Sequence, residues 1–182
     1  MINITLKDGS VKQYSEETSV ISIAKDISEG LARNVISANF NDKVVEVNYM
    51  INEDGKLEFY TWDNDEGKSA FWHSSSHVMA QSIQELFPGV KLTIGPAINS
   101  GFYYDVDLGS HKISESDFDK IESRMLEICR EKHDFNLRPV SKKEAIKFYK
   151  EEDNDYKLEL INDLKDGEIT FCDHSNFTDL CK

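Results

Sequence analysis

The stretch FWHSSSHVMAQSIQELFPG, residues 71–89, carries two histidines four positions apart in a segment with helical periodicity. An α-helix turns about 100° per residue, so the imidazoles of His73 and His77 are predicted to lie on one face, about 40° apart. An adjoining stripe with the spacing of a buried face comprises Trp72, Ser76, Met79, Ile83 and Leu86. Pro88 and Gly89 are expected to end the helix. Two side chains at this spacing can hold one ion or one substrate, but two hydrogen-bonded histidines without such a role would give the same pattern.

The composition is that of a globular protein with room for one large or two small domains. The chain has 182 residues, of which 39% are hydrophobic and 30% charged. No run approaches the roughly 20 apolar residues that span a bilayer, and the start MINITLKDGS lacks the features of a signal peptide. Three irregularly spaced cysteines argue against a disulfide framework. We therefore expect a cytoplasmic protein without a membrane partner.

The net charge of −13 limits the possible partners. Phosphate backbones are held mainly by lysine and arginine, so an acidic chain repels them. We therefore do not expect tight nonspecific binding of nucleic acid by this chain alone. A module that receives one nucleic-acid end from another domain remains compatible with the charge.

Residues 1–62 are predicted to form a ubiquitin-like β-grasp domain. INITL and SVKQY alternate around KDG, a strong hairpin signal. TSVISIAKDIS predicts a helix capped by Thr18 or Ser19. Three further strands, VISANF, KVVEVNYMI and KLEFY, follow the helix.

Residues 63–182 are predicted to form a larger α+β domain, reached through a polar linker at 61–69. After the histidine helix, VKLTIGPAINSGFYYDVDL reads as two strands joined through glycines. SESDFDKIESRMLEICREK reads as an amphipathic helix whose inward residues are Phe118, Ile121, Met125 and Ile128. Two more helices, KKEAIKFYKEE and DYKLELINDL, and a last strand, EITFC, complete the domain.

The order of three motifs resembles one family of proteins. HSSSHVMAQSIQELFPGVKLTIGPAINSGFYYDVD, DYKLELI and FTDLCK are similar, in that order, to the amino-terminal region of threonyl-tRNA synthetases. The preceding β-grasp resembles the TGS domain with which those enzymes begin. The histidine module is shared with alanyl-tRNA synthetases and their free-standing editing relatives, and TGS domains occur in other proteins, but the two in this order indicate the threonyl family.

The resemblance implies a proofreading activity, the hydrolysis of seryl-tRNA(Thr) at the tRNA acceptor end. A synthetic pocket separates threonine from serine by only one methyl group, which supplies roughly 1–3 kcal/mol of discrimination. A second pocket can select in the opposite sense, because it admits serine and the extra methyl of threonine would clash.

The resemblance also implies the catalytic residues, which are His73, His77, Lys157, Asp179 and Cys181. The histidines would position the ester or a hydrolytic water and exchange a proton. Lys157, which by composition alone is an ordinary solvated helix lysine, would orient water or the terminal ribose. Asp179 and Cys181 lie two apart in FTDLC and would share one side of an extended segment. Asp179 would bind the substrate amino group or a neighbouring site residue, and Cys181 would line the pocket.

Two further residues are expected to bind substrate, whereas a cysteine–histidine pair near the end of the sequence is not expected to belong to the site. Tyr104 and Gly95 would shape the pocket floor, although core or turn residues would look the same. Cys172 and His174 in FCDHS could suggest a metal pair, but they lie outside the matched motifs and are expected to be structural.

The family site combines HxxxH with a later CxxxH, and the sequence stops at Lys182, before a fourth position could occur. We therefore expect a fragment with weak deacylase activity that extension would restore. No cofactor is expected in this region, and ATP, magnesium and zinc belong to the family's catalytic domain. No metal is expected at the site, although His73, His77 and Cys181 could ligate zinc, as in alanyl relatives. The fragment is expected to be a monomer and the parent enzyme a homodimer.

Three alternatives remain open from the sequence. The chain could be a non-catalytic module that binds RNA or protein through its β-grasp surface. It could be an editing protein of the alanyl type, or a domain held together by structural zinc.

Overall fold

The structure, a computed structural model, describes residues 1–181 and divides into two compact units. Unit 1 extends from Met1 to Trp72 and unit 2 from His73 onward. The sequence predicted two domains with the change after residue 62, whereas the division falls ten residues later. In the described residues no helix is long and apolar enough to cross a membrane.

Unit 1 is the predicted β-grasp. Its elements are β1 (Ile2–Leu6), β2 (Val11–Tyr14), β3 (Thr18–Ser19), α1 (Val20–Ile27), α2 (Glu29–Asn34), β4 (Ser37–Phe40), β5 (Lys43–Val45), β6 (Met50–Ile51) and β7 (Gly55–Tyr60). The main sheet has the order β2-β1-β7-β4-β5, and β1 and β7 are parallel. Gly9 turns the first hairpin with a φ of 85°, which glycine adopts without strain.

The first helix of unit 1, α1, begins where the cap signal placed it. The Ser19 side chain accepts a hydrogen bond from the Ser22 amide and so satisfies an otherwise unpaired donor at the start of α1. Val20, Ile23 and Ala24 are completely buried on one face of this helix. Val20 and Ile23 form one core cluster with Ile51 of β6 and with the inward residues of the main sheet, Ile2, Ile4, Ala38, Phe40, Val45 and Leu57.

The histidine helix α3 is longer than predicted and spans Asp65–Leu86. The predicted linker at 61–69 is therefore wrong in its second half. Asp65 and Glu66 suggested a polar connection, but acidic residues in the first turn stabilise a helix by complementing its dipole. The predicted apolar stripe also ends early, because Leu86 is 37% exposed.

Unit 2 is α+β, as predicted. After α3 it contains β8 (Lys91–Leu92), β9 (Ala97–Ile98), β10 (Gly101–Phe102), β11 (Val106–Asp107), α4 (Glu115–Glu131), β12 (Phe135–Pro139), α5 (Lys142–Glu151), α6 (Asp155–Asn162), β13 (Thr170–His174) and β14 (Phe177–Cys181). The strands β12, β13 and β14 form an antiparallel sheet in that order, and β8 pairs with β11 and β9 with β10.

Several predicted details of unit 2 are wrong. The two strands expected after α3 are four two-residue strands, because the glycine-rich stretch interrupts regular pairing. Strand β12 was not predicted, since FNLRP ends in a proline and is exposed along most of its length. On α4, Ile121 and Ile128 are buried as expected, but Phe118 is 51% exposed.

Strand β14 brings the carboxyl-terminal motif into the interior. Side chains alternate along a strand, so Phe177, Asp179 and Cys181 share one face and are all buried. This confirms the predicted common orientation of Asp179 and Cys181. The sheet thereby carries a carboxylate and a thiol to the helix that bears the histidines.

Candidate active site

The part of α3 within unit 2 buries polar side chains, each with a hydrogen-bond partner. The Ser76 hydroxyl lies 2.7 Å from the His73 carbonyl and 2.8 Å from that of Gly95. The Ser82 hydroxyl donates to the Ile121 carbonyl at 3.0 Å. Buried polar groups destabilise a fold unless they are paired, so these bonds fix the helix in one rotational setting. That setting directs the imidazoles toward β14.

Asp179 is the centre of the site and accepts four hydrogen bonds. Its Oδ1 receives Lys157 Nζ at 2.6 Å and the Leu180 amide at 2.9 Å. Its Oδ2 receives the Tyr104 hydroxyl at 2.5 Å and lies 2.9 Å from His77 Nδ1. Both carboxylate oxygens are therefore fully used. Asp179 was expected to bind either the substrate amino group or a neighbouring site residue. The structure shows the second of these contacts, with His77, Tyr104 and Lys157.

The environment of Asp179 keeps its carboxylate charged. Burial by itself would raise the pKa of this carboxyl, but the hydrogen bond from His77 and the charge of Lys157 outweigh burial and hold the pKa below its ordinary value. Burial and the nearby Asp179 charge raise the pKa of the Tyr104 phenol, which therefore stays protonated and donates. Lys157 is only 2% exposed, far from the solvated lysine that its sequence context alone suggests.

The two imidazoles face each other, and Asp179 decides the tautomer of one of them. A carboxylate only accepts hydrogen bonds, so His77 Nδ1 carries the proton, and Nε2 of the neutral ring has a free lone pair. His77 Nε2 lies 3.3 Å from His73 Nε2, which is 3.1 Å from Cys181 Sγ. Burial, followed by the charge of His77, lowers the pKa of His73. His73 therefore stays neutral at neutral pH.

His73, His77 and Cys181 also form the one group of three candidate metal ligands found in residues 1–181. Their donor atoms lie within 4.8 Å of one another. In a tetrahedral zinc site, Zn–N bonds of about 2.0–2.1 Å and a Zn–S bond of about 2.3 Å place two nitrogens about 3.3–3.4 Å apart and a nitrogen and the sulfur about 3.5–3.6 Å apart. The 3.3 Å between His77 Nε2 and His73 Nε2 agrees with the first value, whereas the 3.1 Å between His73 Nε2 and Cys181 Sγ is shorter than the second. The ligand types therefore suit a zinc ion, and the spacing is closer to that of a hydrogen-bonded cluster.

A pocket of about 330 Å³ opens beside this cluster. It is lined by His73, His77, Thr93, Ile94, Gly95, Pro96, Tyr104, Lys157, Leu160, Asp163, Leu164, Asp179 and Leu180. A Cβ atom on Gly95 would overlap the Tyr104 ring, so only glycine lets the ring reach Asp179. The volume lies at the lower end of small-molecule sites.

Most predicted site residues meet at this pocket, and one stands apart from it. Cys181, which we expected to line the pocket, lies behind His73 and does not contribute to the lining. The sequence interpretation missed Thr93, Ile94, Pro96, Leu160, Asp163, Leu164 and Leu180. A usable signal existed for two of them, because Lys157, Leu160 and Leu164 follow an i, i+3, i+7 pattern.

The pair Cys172 and His174 lies elsewhere in unit 2. His174 Nδ1 is 2.8 Å from Gln81 Oε1, and the ring stacks on Phe135 with centroids 4.3 Å apart. Both residues are buried in β13. Neither lines the pocket.

Comparison with known proteins agrees with the motifs. Residues 2–61 match the family model of the TGS domain. Over all 182 residues the chain is 60% identical to the threonine–tRNA ligase of Flavobacterium psychrophilum and 59% identical to that of Flavobacterium johnsoniae. The chain matches the amino-terminal region of threonine–tRNA ligases. The ligase of Caldanaerobacter subterraneus is 46% identical over 179 residues.

These matches cover 98–100% of this chain but only 28% of each ligase. The chain therefore spans little more than a quarter of the length of these relatives. The family resemblance inferred from the motifs is confirmed.

Proposed function

We propose that this chain is the proofreading region of an enzyme that joins threonine to tRNA(Thr) with ATP, and that unit 2 hydrolyses seryl-tRNA(Thr). The observation that carries the proposal is the pocket on which His73, His77 and the Lys157–Asp179 ion pair converge. Its residue types are those needed to move a proton and to bind a polar ester. The similarity to threonine–tRNA ligases supplies the substrate.

The imidazole pair supplies the proton acceptor in this proposal. In the neutral form of His77, Asp179 holds the ring proton on Nδ1, so Nε2 is the acceptor atom, and this atom faces His73 Nε2 at the pocket. A water bound there loses a proton to an imidazole as its oxygen attacks the ester carbonyl carbon. The proton then passes to the ribose oxygen as the ester bond breaks, which releases serine and intact tRNA. An imidazole nitrogen can both accept and return a proton, which suits the two transfers.

Lys157 and Tyr104 support this reaction from the other side of Asp179. The Lys157 ammonium donates to Asp179 and lies 3.2 Å from the Tyr104 hydroxyl. At the pocket wall it orients the water or the terminal ribose and attracts negative charge that develops on the ester oxygen. Because Lys157 is held by a buried carboxylate, it needs little rearrangement during the reaction.

Size provides the selectivity. The backbone of Gly95 and the ring of Tyr104 are in close contact, so this wall has no space into which it can retreat. A serine side chain fits against such a wall, whereas the additional methyl of threonine requires displacement of packed atoms. The pocket therefore removes serine and spares threonine.

The proposed reaction is metal-independent. Cys181 lies outside the pocket lining, and His73 Nε2 contacts both Cys181 Sγ and His77 Nε2 at hydrogen-bonding distances. Elemental analysis of the purified protein tests this directly. One equivalent of zinc, with deacylation lost on chelation and restored by zinc, would replace the proposal with a zinc site formed by His73, His77 and Cys181.

The remaining partners and cofactors follow from the same proposal. Unit 2 receives the acceptor end of tRNA(Thr), which other parts of the enzyme deliver, because the acidic chain binds phosphate backbones poorly. ATP, magnesium and zinc serve the synthetic domain. The complete enzyme is a cytoplasmic homodimer.

The test is the single-turnover hydrolysis of seryl-tRNA(Thr) and threonyl-tRNA(Thr). Rates are compared for this chain and for the same protein at the length of its relatives. We expect the longer protein to hydrolyse the seryl ester and spare the threonyl ester, and this chain to be slower. If the longer protein hydrolyses neither ester but the β-grasp still binds tRNA, the region is a binding module and the proposal is wrong.

A further inference from the structure

Two carboxylates line the pocket in residues 1–181, and only one of them can receive a substrate. Asp179 accepts four hydrogen bonds from side-chain and backbone donors, so a substrate ammonium could reach it only by displacing one. Asp163 is exposed and has no side-chain hydrogen bond or ion pair to the residues that the structure describes. An aminoacyl ester carries a positive α-ammonium group close to its ester bond. The pocket thus has one available acidic partner for it.

We propose that Asp163 binds the α-ammonium group of the aminoacyl ester, and that the pocket therefore selects esters with a free amino group over N-acylated and peptidyl esters. This inference rests on the proposed deacylase function and names the substrate class of the same site. Asp163 is a substrate-binding residue and takes no part in proton transfer.

The position of Asp163 in the chain favours a cation. It is the C-cap of α6, and the carboxyl end of a helix carries partial negative charge. This helix end already binds one ammonium, since Lys142 Nζ lies 2.8 Å from the carbonyl oxygens of both Asn162 and Leu164. Lys142 is directed to these backbone atoms and forms no ion pair with Asp163 within the described chain. The carboxylate is left available to the pocket.

The other end of the pocket repels an ammonium. Lys157 lies six residues before Asp163, which corresponds to about 9 Å along a helix axis. The substrate ammonium is therefore driven away from Lys157 and toward Asp163. The ester carbonyl then lies on the side of Lys157 and the histidines, where the proposed chemistry takes place. One helix thereby orients both ends of the aminoacyl group.

An N-acylated ester loses this interaction. Its amide nitrogen is neutral and carries a bulky group into a wall that includes Leu160 and Leu164. Hydrogen bonds to charged groups contribute about 1.5–3 kcal/mol, which corresponds to roughly 10- to 150-fold in binding. Selection against blocked amino groups follows from charge and size together.

The experiment compares Asp163→Asn with Glu159→Gln on seryl-tRNA(Thr) and N-acetylseryl-tRNA(Thr). Glu159 is an exposed carboxylate of the same helix that does not line the pocket, so its variant loses the same charge elsewhere. Single-turnover rates are measured across enzyme concentrations in the protein at the length of its relatives. We expect Asp163→Asn to weaken half-saturation by seryl-tRNA(Thr) about 10- to 150-fold with little change in the maximal rate. The N-acetyl ester should respond to neither variant.

A binding measurement separates this inference from the proposed function. Adenosine bearing serine through an amide is compared with the same compound in which a hydroxyl replaces the ammonium. Wild-type protein should bind the ammonium compound more tightly, and Asp163→Asn should remove the difference. Equal affinity of wild-type protein for both compounds, or an equal loss for both in Asp163→Asn, overturns the inference. Absence of hydrolysis together with ammonium-selective binding overturns the deacylase proposal alone.

Discussion

Helix α1 and the unit 2 part of helix α3 are both buried, but they bury opposite kinds of side chain. The inward residues of α1 are Val20, Ile23 and Ala24, and they need only to be kept from water. The inward face of α3 includes Ser76 and His77, which need specific partners. A helix that stabilises a fold can be recognised by its apolar pattern. A helix that builds a site departs from that pattern where the chemistry is located.

The sharpest way to break this comparison is to truncate one residue on each helix. His73→Ala should slow deacylation of seryl-tRNA(Thr) by about 10²–10⁴-fold, because one positioned acid or base contributes that much. Ile23→Ala should leave the maximal deacylation rate unchanged but reduce the free energy of unfolding by about 2–5 kcal/mol. Rates and urea unfolding are measured for both variants. If His73→Ala also slows threonine activation in the complete enzyme to the same extent, general misfolding is the cause.

Much of this contrast could be predicted from the sequence. The apolar spacing of α1 and the Ser19 cap identified a helix of unit 1 within a residue of its start. The HxxxH spacing identified the paired imidazoles. Lys157 could not be predicted to be buried, because its burial depends on Asp179, 22 residues later in the chain. Asp163 was missed because the packing of α6 decides which of its residues line the pocket. Local periodicity does not specify that packing.

A second test compares a buried ion pair with a surface one. Asp179→Ala should reduce the free energy of unfolding by about 3–5 kcal/mol, because Lys157 would remain buried without a counter-charge. Asp26→Ala removes the exposed partner of Lys12 and of the Tyr14 hydroxyl in unit 1 and should cost no more than about 1 kcal/mol. Urea unfolding of the two variants at pH 7 decides this. Similar small losses would show that water reaches Lys157 and that the site is not rigid.

Two glycines provide a smaller test. Gly95→Ala should reduce the free energy of unfolding by about 1–3 kcal/mol and slow deacylation, since its methyl would displace the Tyr104 ring from Asp179. Gly30 lies in α2 with room for a methyl group, so Gly30→Ala should raise stability by about 0.5–1 kcal/mol. Thermal unfolding and the single-turnover rate are the measurements. An active Gly95→Ala protein would show that Tyr104 has space to move.

The smallest expected effect is on pH dependence. Burial lowers the pKa of His73, so its neutral form persists below pH 6.5 and the deacylation rate should fall only below that pH. The same shift makes unfolded protein bind this proton more readily, so the stability that His73 contributes is also lost as pH falls below 6.5. The buried face of α1 has no titrating group and should add nothing in this range. A rate–pH profile with an acid limb above pH 6.5 would contradict this assignment.

The four hydrogen bonds that Asp179 accepts have a consequence for how the site forms during synthesis of the chain. His77 lies 102 residues before Asp179 in the chain, so the helix leaves the ribosome long before its partner on β14. At about 5–20 residues per second the interval lasts about 5–20 seconds. Until Asp179 is synthesised, the His77 imidazole lacks its acceptor, as do the Tyr104 phenol and the Lys157 ammonium once each of them has been made. The proposed site therefore forms in a single late step of synthesis, when strand β14 joins its sheet.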